Sequence, residues 1–118
     1  MIIGTVRITP PPQRRADVLE VLRSVQGRVQ DQRGCASCSI YEEDAAESAV
    51  VLVERWACRE DLDAHLRSDI FKRVIAAIEL SAGPPDIRFE HVSATEGVEA
   101  IERSRGAGRT TPEAGRGP

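Results

Sequence analysis

The stretch Val50–Phe71, VVLVERWACREDLDAHLRSDIF, decides the fold because an apolar strand runs directly into an amphipathic helix. Its first part, Val50–Val53, is continuously aliphatic and follows a polar segment, which predicts a strand buried on both faces. Trp56, the only tryptophan, ends this strand. Acidic residues then fill the expected first turn of a helix, where the helix dipole favours negative charge.

One of the two histidines lies on the apolar stripe of this helix. Leu62, His65 and Leu66 stand at positions i, i+3 and i+4, so His65 is expected to face the sheet rather than solvent. Two interpretations stay open: a hydrogen-bonded core histidine, or a general base in a pocket between helix and sheet. Asp61 and Asp69, four residues to either side, are candidates to orient the ring, and simple solvation is the plainer description of both carboxylates.

Composition narrows the class of protein. A chain of 118 residues with 3% aromatic residues predicts one domain with an aliphatic core. The formal charge of -3 argues against a nucleic-acid partner, and no apolar run approaches the roughly 20 residues that cross a membrane. Because the N-terminal residues lack the pattern of a signal peptide, we expect a cytoplasmic protein.

The three cysteines are Cys35, Cys38 and Cys58, an odd number that indicates reduced thiols. Cys35 and Cys38 form a C-x-x-C pair, but no second cluster supplies further zinc ligands, so we predict no metal site. In a strand, residues three apart point to opposite faces, and we therefore interpret the pair as accidental. Cys58 stands where the second helix begins, a place that lowers a thiol pKa, although a weak N-cap residue is the simpler description.

Apolar periodicity along the chain predicts four strands and two helical segments, the second in two pieces. The predicted strands are Ile2–Ile8, Cys35–Glu43, Val50–Val53 and Asp86–Val92, and the predicted helices are Arg14–Gln32, Arg59–Arg67 and Ser68–Leu80. A polar, acidic segment between the second and third strands predicts a hairpin. The order is that of an α+β, ferredoxin-like βαββαβ plait, with the helices on one face of an antiparallel sheet.

The opposite face of this sheet has no helix to cover it, yet the first and third strands offer apolar side chains on both faces. An uncovered apolar face indicates a partner, so we predict a homodimer packed sheet against sheet. We assign residues 1–93 to this domain and residues 94–118 to a C-terminal extension. The extension is expected to hold one short helix, Thr95–Arg103, and then a disordered tail from Ser104 onward.

A set of residues within this order of elements carries a resemblance to a known family. Its members are Gly34, Cys35, Glu54, Trp56, Glu60, Leu62, His65, Leu66, Ser68, Phe71, Glu79–Ser81 and Pro84–Pro85. On these residues the chain resembles the antibiotic biosynthesis monooxygenase family, in its branch of small quinol monooxygenases. The resemblance implies a dimeric α+β barrel that oxidises a quinol or polyphenolic molecule with O2, using no metal and no bound organic cofactor.

The same resemblance implies roles for individual residues. His65 is the implied catalytic base, and Trp56 is the implied catalytic partner that lines or caps the pocket and has an N–H to donate. The side chains expected to bind a small aromatic substrate are Leu62, Leu66, Phe71, Ile75 and Cys38. Two alternatives stay open: a non-catalytic dimeric ligand-binding module, and a metabolite isomerase-type relative of the same fold.

Heme-degrading relatives share this fold, and the sequence argues against that activity. Those enzymes resemble the chain along the second helix but carry a Trp at the position of His65. Their proximal histidine corresponds to Ile75, and their N-terminal asparagine to about Val6. All three positions differ, so heme is not expected as a cofactor.

Overall fold

The computed structural model of the chain describes residues 1–44 and 48–106. The strands are β1 (Ile2–Ile8), β2 (Cys35–Glu42), β3 (Val50–Trp56) and β4 (Asp86–His91), and the helices are α1 (Arg15–Gln30), α2 (Arg59–Leu66), α3 (Asp69–Ile78) and α4 (Val98–Ser104). A 3-10 turn, Pro12–Arg14, leads into α1, because prolines fit the entry of a helix and lack the N–H that its interior needs. No helix in this part of the chain is long and apolar enough to cross a membrane.

The four strands form one antiparallel sheet in the order β2-β3-β1-β4. In this order β2 and β3, which are consecutive in the chain, lie side by side, and β1 lies between β3 and β4. The predicted α+β, ferredoxin-like plait is therefore confirmed. The turn of the predicted hairpin includes residues 45–47, which lie outside the described residues.

The helices cover one face of the sheet, and the core lies between them. β1 alternates strictly between buried and half-buried side chains, and β3 does the same. On β3 the buried side chains are Val50, Leu52, Glu54 and Trp56. Val51 and Val53 point to the other face and are half-buried, so the prediction that this strand is buried on both faces is wrong. The sequence does not reveal which side chains of this strand are buried, because valines point to both faces of the sheet.

The first helix places its predicted stripe in the core. Val18, Leu22, Val25 and Val29 are all buried, as expected for apolar residues spaced along one helix face. After the helix the chain turns into β2 through Gly34, whose φ is +83°. The carbonyl of Gly34 accepts a hydrogen bond of 2.8 Å from the backbone N–H of Ala57, which ties the start of β2 to the end of β3.

The edge strand and the last helix stay outside the core. Ile87 and Phe89 of β4 share the helix-covered face with β1, yet both are exposed. On α4, Val98 and Ile101 are exposed as well, and no residue of this helix is buried. The helix predicted over Thr95–Arg103 is thus present in a slightly shorter and shifted form. The predicted disordered tail lies, from residue 107 onward, outside the described residues.

Candidate functional site

Helix α2 carries His65 into the core beneath the sheet. The helix starts after Cys58, its N-cap residue, and its first turn holds Glu60 and Asp61. Leu62 and His65, three residues apart, are its two buried residues, and His65 is only 1% exposed. The expectation that His65 faces the sheet is confirmed.

Two aromatic side chains fix the plane of the imidazole ring. The ring of Trp56 stacks on it, with centroids 4.6 Å apart and planes inclined by 26°. Phe71 meets it edge-on, with centroids 5.2 Å apart and an interplanar angle of 75°. Phe71 is itself held at the start of α3, where its backbone N–H donates to the hydroxyl of Ser68, the N-cap residue. His65 therefore has little rotational freedom.

Each ring nitrogen of His65 faces a polar side chain. Nδ1 lies 2.6 Å from the amide oxygen Oε1 of Gln32. Nε2 lies 3.1 Å from Oε1 of Glu54, and the indole N–H of Trp56 donates a 3.0 Å hydrogen bond to the same oxygen. The indole N–H of Trp56 is therefore already used in a hydrogen bond within the protein. The imidazole stands between an amide and a carboxyl group, an arrangement suited to accepting and returning a proton.

Glu54 and His65 are the buried polar pair at the centre of this network. Glu54 is 4% exposed, and a carboxylate so deep in an apolar core costs free energy unless a charge or hydrogen bonds compensate it. The contact between Nε2 and Oε1 is short but poorly directed. Among the described residues, neither His65 Nε2 nor the second oxygen of Glu54, Oε2, makes a hydrogen bond. These two atoms have unused hydrogen-bonding capacity within the core.

A β-bulge brings two cysteines next to Glu54. Cys35 is opposite Trp56 and Cys38 is opposite Glu54, with a register shift between Cys35 and Ser37. Because Trp56 and Glu54 share the buried face of β3, both cysteines point to that face as well. The prediction that they point to opposite faces is wrong, since the extra residue of a bulge changes the count along the strand.

The thiols near Glu54 are held in their neutral form. Burial, followed by the negative charge of Glu54, raises the pKa of Cys38 to about 12 and raises that of Cys35. At Cys58, the backbone N–H of Asp61 lowers the thiol pKa, but its carboxylate, burial and Glu60 together outweigh it, so the net pKa is raised. The possibility that the helix start activates Cys58 is therefore not realised. Its S–H instead donates to Asp61 Oδ2 over 3.2 Å.

A surface depression of about 570 Å³ reaches the imidazole from outside. It is lined by Gln32, Arg33, Cys58, Glu60, Asp61, Ala64 and His65. Gln32 is also the partner of Nδ1, so the depression meets the ring on its Nδ1 side. Five of these seven residues are polar or charged, although most of the surface they present to the depression belongs to apolar atoms. The depression therefore suits a small molecule that has both an apolar ring and hydroxyl groups.

The residues predicted to bind substrate lie outside the depression. Leu62 and Cys38 are buried in the core, Leu66 and Phe71 are packed against it, and Ile75 is 42% exposed on α3. None of them lines the depression, and their role in substrate binding stays a prediction. Among the described residues, no group of three His, Cys, Asp or Glu side chains is placed to hold a metal ion.

Glu54 and Gln32 are members of the network that the sequence reasoning did not select as site residues. The sequence could have predicted that Glu54 is buried, because in a strand that points Trp56 into the core the residue two positions earlier points there as well. No sequence pattern predicts the position of Gln32, since this residue follows the last turn of α1 and belongs to no periodic pattern. Its position depends on how α1 packs beside α2.

Comparison with known proteins gives the family. The sequence profile described as antibiotic biosynthesis monooxygenase matches residues 1–77. The fold is similar to that of Rv0793 from Mycobacterium tuberculosis, with 24% identity, a TM-score of 0.73, and coverage of 81% of this chain and 98% of that one. A protein from Caulobacter crescentus CB15, provisionally named an antibiotic biosynthesis monooxygenase, is 26% identical with a TM-score of 0.68, over 80% of this chain and 91% of that one.

A conserved protein from Methanosarcina mazei Go1 is also similar, with 21% identity and a TM-score of 0.70 over 76% of this chain and 90% of that one. No protein of curated function matches the sequence. The profile match spans well over half of the 118 residues and includes β1 to β3, α1, α2 and most of α3. The chain therefore belongs to the antibiotic biosynthesis monooxygenase family.

Proposed function

We propose that the protein is a cofactor-independent monooxygenase that oxidises a quinol or polyphenolic small molecule with O2, and that His65 is its base. The observation that supports this most is the buried unit of His65, Glu54 and Trp56, in which His65 also lines the depression. Histidine titrates near neutral pH and is the side chain most often used for proton transfer. Family membership supports oxygenation as the reaction class, and fold alone does not define the substrate.

The chemistry needs no external reductant because the substrate supplies all the electrons. A dihydroxyarene loses two electrons when it becomes a quinone and two more when a ring C–H becomes C–OH. One O2 molecule takes up these four electrons: one oxygen atom enters the product, a hydroxyquinone, and the other leaves as water. The protein is required only to remove a proton, hold the ring and limit access of water.

His65 acts at the first and last proton transfers of this reaction. It takes the phenolic proton, and the resulting phenolate is electron-rich enough to pass one electron to O2. The two radicals then combine into a ring peroxide anion. The proton held by His65 goes to the peroxide anion formed by this combination and gives the hydroperoxide. His65 then takes the ring C–H proton and passes it to the departing oxygen as the O–O bond breaks, so that a C=O bond forms and water is released. Trp56 and Phe71 keep the imidazole in place throughout.

A homodimer is part of this proposal. The face of the sheet opposite the helices carries Ile3, Val51 and Val53, which are half-buried in the single chain. A second copy packed on this face would remove these apolar side chains from water. Size-exclusion chromatography with light scattering at micromolar concentration tests it, and a monomeric mass would contradict it.

A metabolite isomerase-type activity is the second candidate, and the polar and charged residues along the depression favour it. Gln32, Arg33, Glu60 and Asp61 offer hydrogen-bonding and charged groups to a small hydroxy-carbonyl compound. The same histidine would then move a proton between carbon and oxygen, with no consumption of O2. Oxygen consumption therefore separates the two candidates.

The test is oxygen uptake with a reduced naphthoquinol, measured above the rate of autoxidation. We expect enzyme-dependent uptake in the wild type and a loss of about 100-fold or more in His65→Ala, as for the removal of a general base. His91→Ala is the matched control, because His91 is the other histidine and is exposed on β4. No uptake above the blank in the wild type would refute the oxygenase and leave a binding module or an isomerase.

A further inference from the structure

We infer that Glu54 is the positioning residue of the site: it holds the proton on Nε2 of His65 and so makes Nδ1 the nitrogen that exchanges a proton with a ligand. This inference rests on the proposed function, since it assigns the direction from which a hydroxylated substrate reaches the base. It predicts that a ligand oxygen binds at the place now taken by the amide of Gln32.

The first step of the argument concerns Oε1 of Glu54. This oxygen accepts the indole N–H of Trp56 at 3.0 Å and lies 3.1 Å from His65 Nε2. An oxygen that already acts as an acceptor favours a proton on the nitrogen that faces it, because two lone pairs at that distance repel each other. Glu54 therefore selects the ring form with Nε2 protonated, since the bond made by one nitrogen determines the state of the other.

The second step concerns the opposite side of the ring. Nδ1 is 2.6 Å from the side chain of Gln32, and both Gln32 and His65 line the depression. Nε2 instead faces the core, where Glu54 is 4% exposed. A ligand in the depression therefore meets Nδ1 first. In the structure the Gln32 amide turns its oxygen Oε1 to Nδ1, and this contact fits a protonated Nδ1. A half-turn of the amide would bring its NH2 group to the same place, where it donates to an unprotonated Nδ1.

The third step is the charge that appears when the ligand gives up its proton. His65 then becomes an imidazolium buried between Trp56 and Phe71, and neither aromatic ring carries a neutralising charge. Glu54 supplies the opposite charge at 3.1 Å. A general base oriented and neutralised by a third group is the arrangement that activates many enzymatic hydroxyls. Without Glu54 the ligand is expected to stay protonated when bound.

The experiment uses 4-nitrocatechol, whose absorbance reports its own ionisation, added to the full-length protein under argon so that no oxidation occurs. The wild type and the control Glu20→Gln are expected to bind the probe as its anion. Glu20 is an exposed carboxylate on α1, so its substitution makes the same change in charge. Glu54→Gln is expected to bind it mainly in the protonated form, with about 10- to 100-fold less ionised complex, the effect of losing the carboxylate charge that lies 3.1 Å from the imidazolium.

The outcomes separate this inference from the proposed function. Equal ionisation by the wild type and Glu54→Gln would overturn the role of Glu54 and leave His65 as the base. No binding or no ionisation by the wild type would overturn both. Glu54-dependent ionisation without any oxygen uptake would support the inference and refute the oxygenase. If Glu54→Gln does not fold, Glu54→Asp decides: a reduced ionised fraction supports the inference, and a wild-type fraction overturns it.

Discussion

Gly34 is the position where a single added methyl group tests the geometry around the depression most sharply. Its φ of +83° lies in the region that side chains other than glycine rarely adopt. A Cβ built at this position would also stand 2.5 Å from Cβ of Asp61, too close to be relieved by rotating the Asp61 carboxyl group alone. We therefore predict that Gly34→Ala displaces the first turn of α2, which lines the depression.

The magnitude follows from two contributions. A left-handed conformation costs a residue with a Cβ about 1–2 kcal/mol. The overlap of the new Cβ with Asp61 forces side-chain and backbone shifts, and inserting atoms into occupied space costs about 1–3 kcal/mol. Because Asp61 is partly solvated, the lower end applies to this second contribution. We expect Gly34→Ala to lower the free energy of unfolding by about 2–4 kcal/mol.

Gly27→Ala is the matched control, and it is expected to raise the free energy of unfolding where Gly34→Ala lowers it. Gly27 lies inside α1, and a Cβ added there meets no atom within 4 Å. Alanine is favoured over glycine in a helix interior by about 0.5–1 kcal/mol, so this variant should be more stable than the wild type. Urea unfolding followed by the fluorescence of Trp56, the only tryptophan and fully buried, measures both variants. A Gly34→Ala variant within about 0.5 kcal/mol of the wild type would refute the reasoning.

Three further predictions concern thiols, pH and helix capping. The Cys38 thiol, with a pKa of about 12, should react with a disulfide reagent at pH 8 only after unfolding; labelling of the native protein at this residue would contradict the burial. Hydrogen bonding to Arg7 lowers the pKa of Glu43 below its ordinary 4.5, so the stabilisation is present above that pH and is lost as the pH falls through the folded-state value. Urea titrations from pH 3 to 7 should then show Glu43→Gln least stable, relative to wild type, at the upper end, and a constant difference would count against the pair. Ser68→Ala removes the cap that accepts the Phe71 N–H and should cost about 1 kcal/mol in urea unfolding, whereas no loss would show that the cap is dispensable.

The order of elements could be predicted because each element carries a local signal. The stripe on α1 has helical spacing, and Ser68 is a cap that divides α2 from α3. His65 could be placed in the core by its spacing from Leu62, since a helix turns by a fixed angle per residue. Such signals act over a few residues and need no knowledge of tertiary contacts.

The partners of His65 could not be predicted in the same way. Gln32 and Glu54 come from different elements, and only packing brings them to the two sides of one ring. The residue pattern also gave no sign of the bulge at the start of β2, so the face of the sheet to which Cys35 points was predicted wrongly. Where a strand gains one extra residue, the rule of alternation fails for every residue on one side of it.

The central claim is that the substrate itself reduces O2 in a site where His65 handles the proton, and labelling with 18O2 tests it most directly. A reduced naphthoquinol is turned over under 18O2, and the product is analysed by mass spectrometry alongside an assay for hydrogen peroxide. The account predicts one labelled oxygen atom in the product, little peroxide, and loss of labelling in His65→Ala but not in His91→Ala. An unlabelled quinone with one equivalent of peroxide, or labelling that survives in His65→Ala, would contradict it.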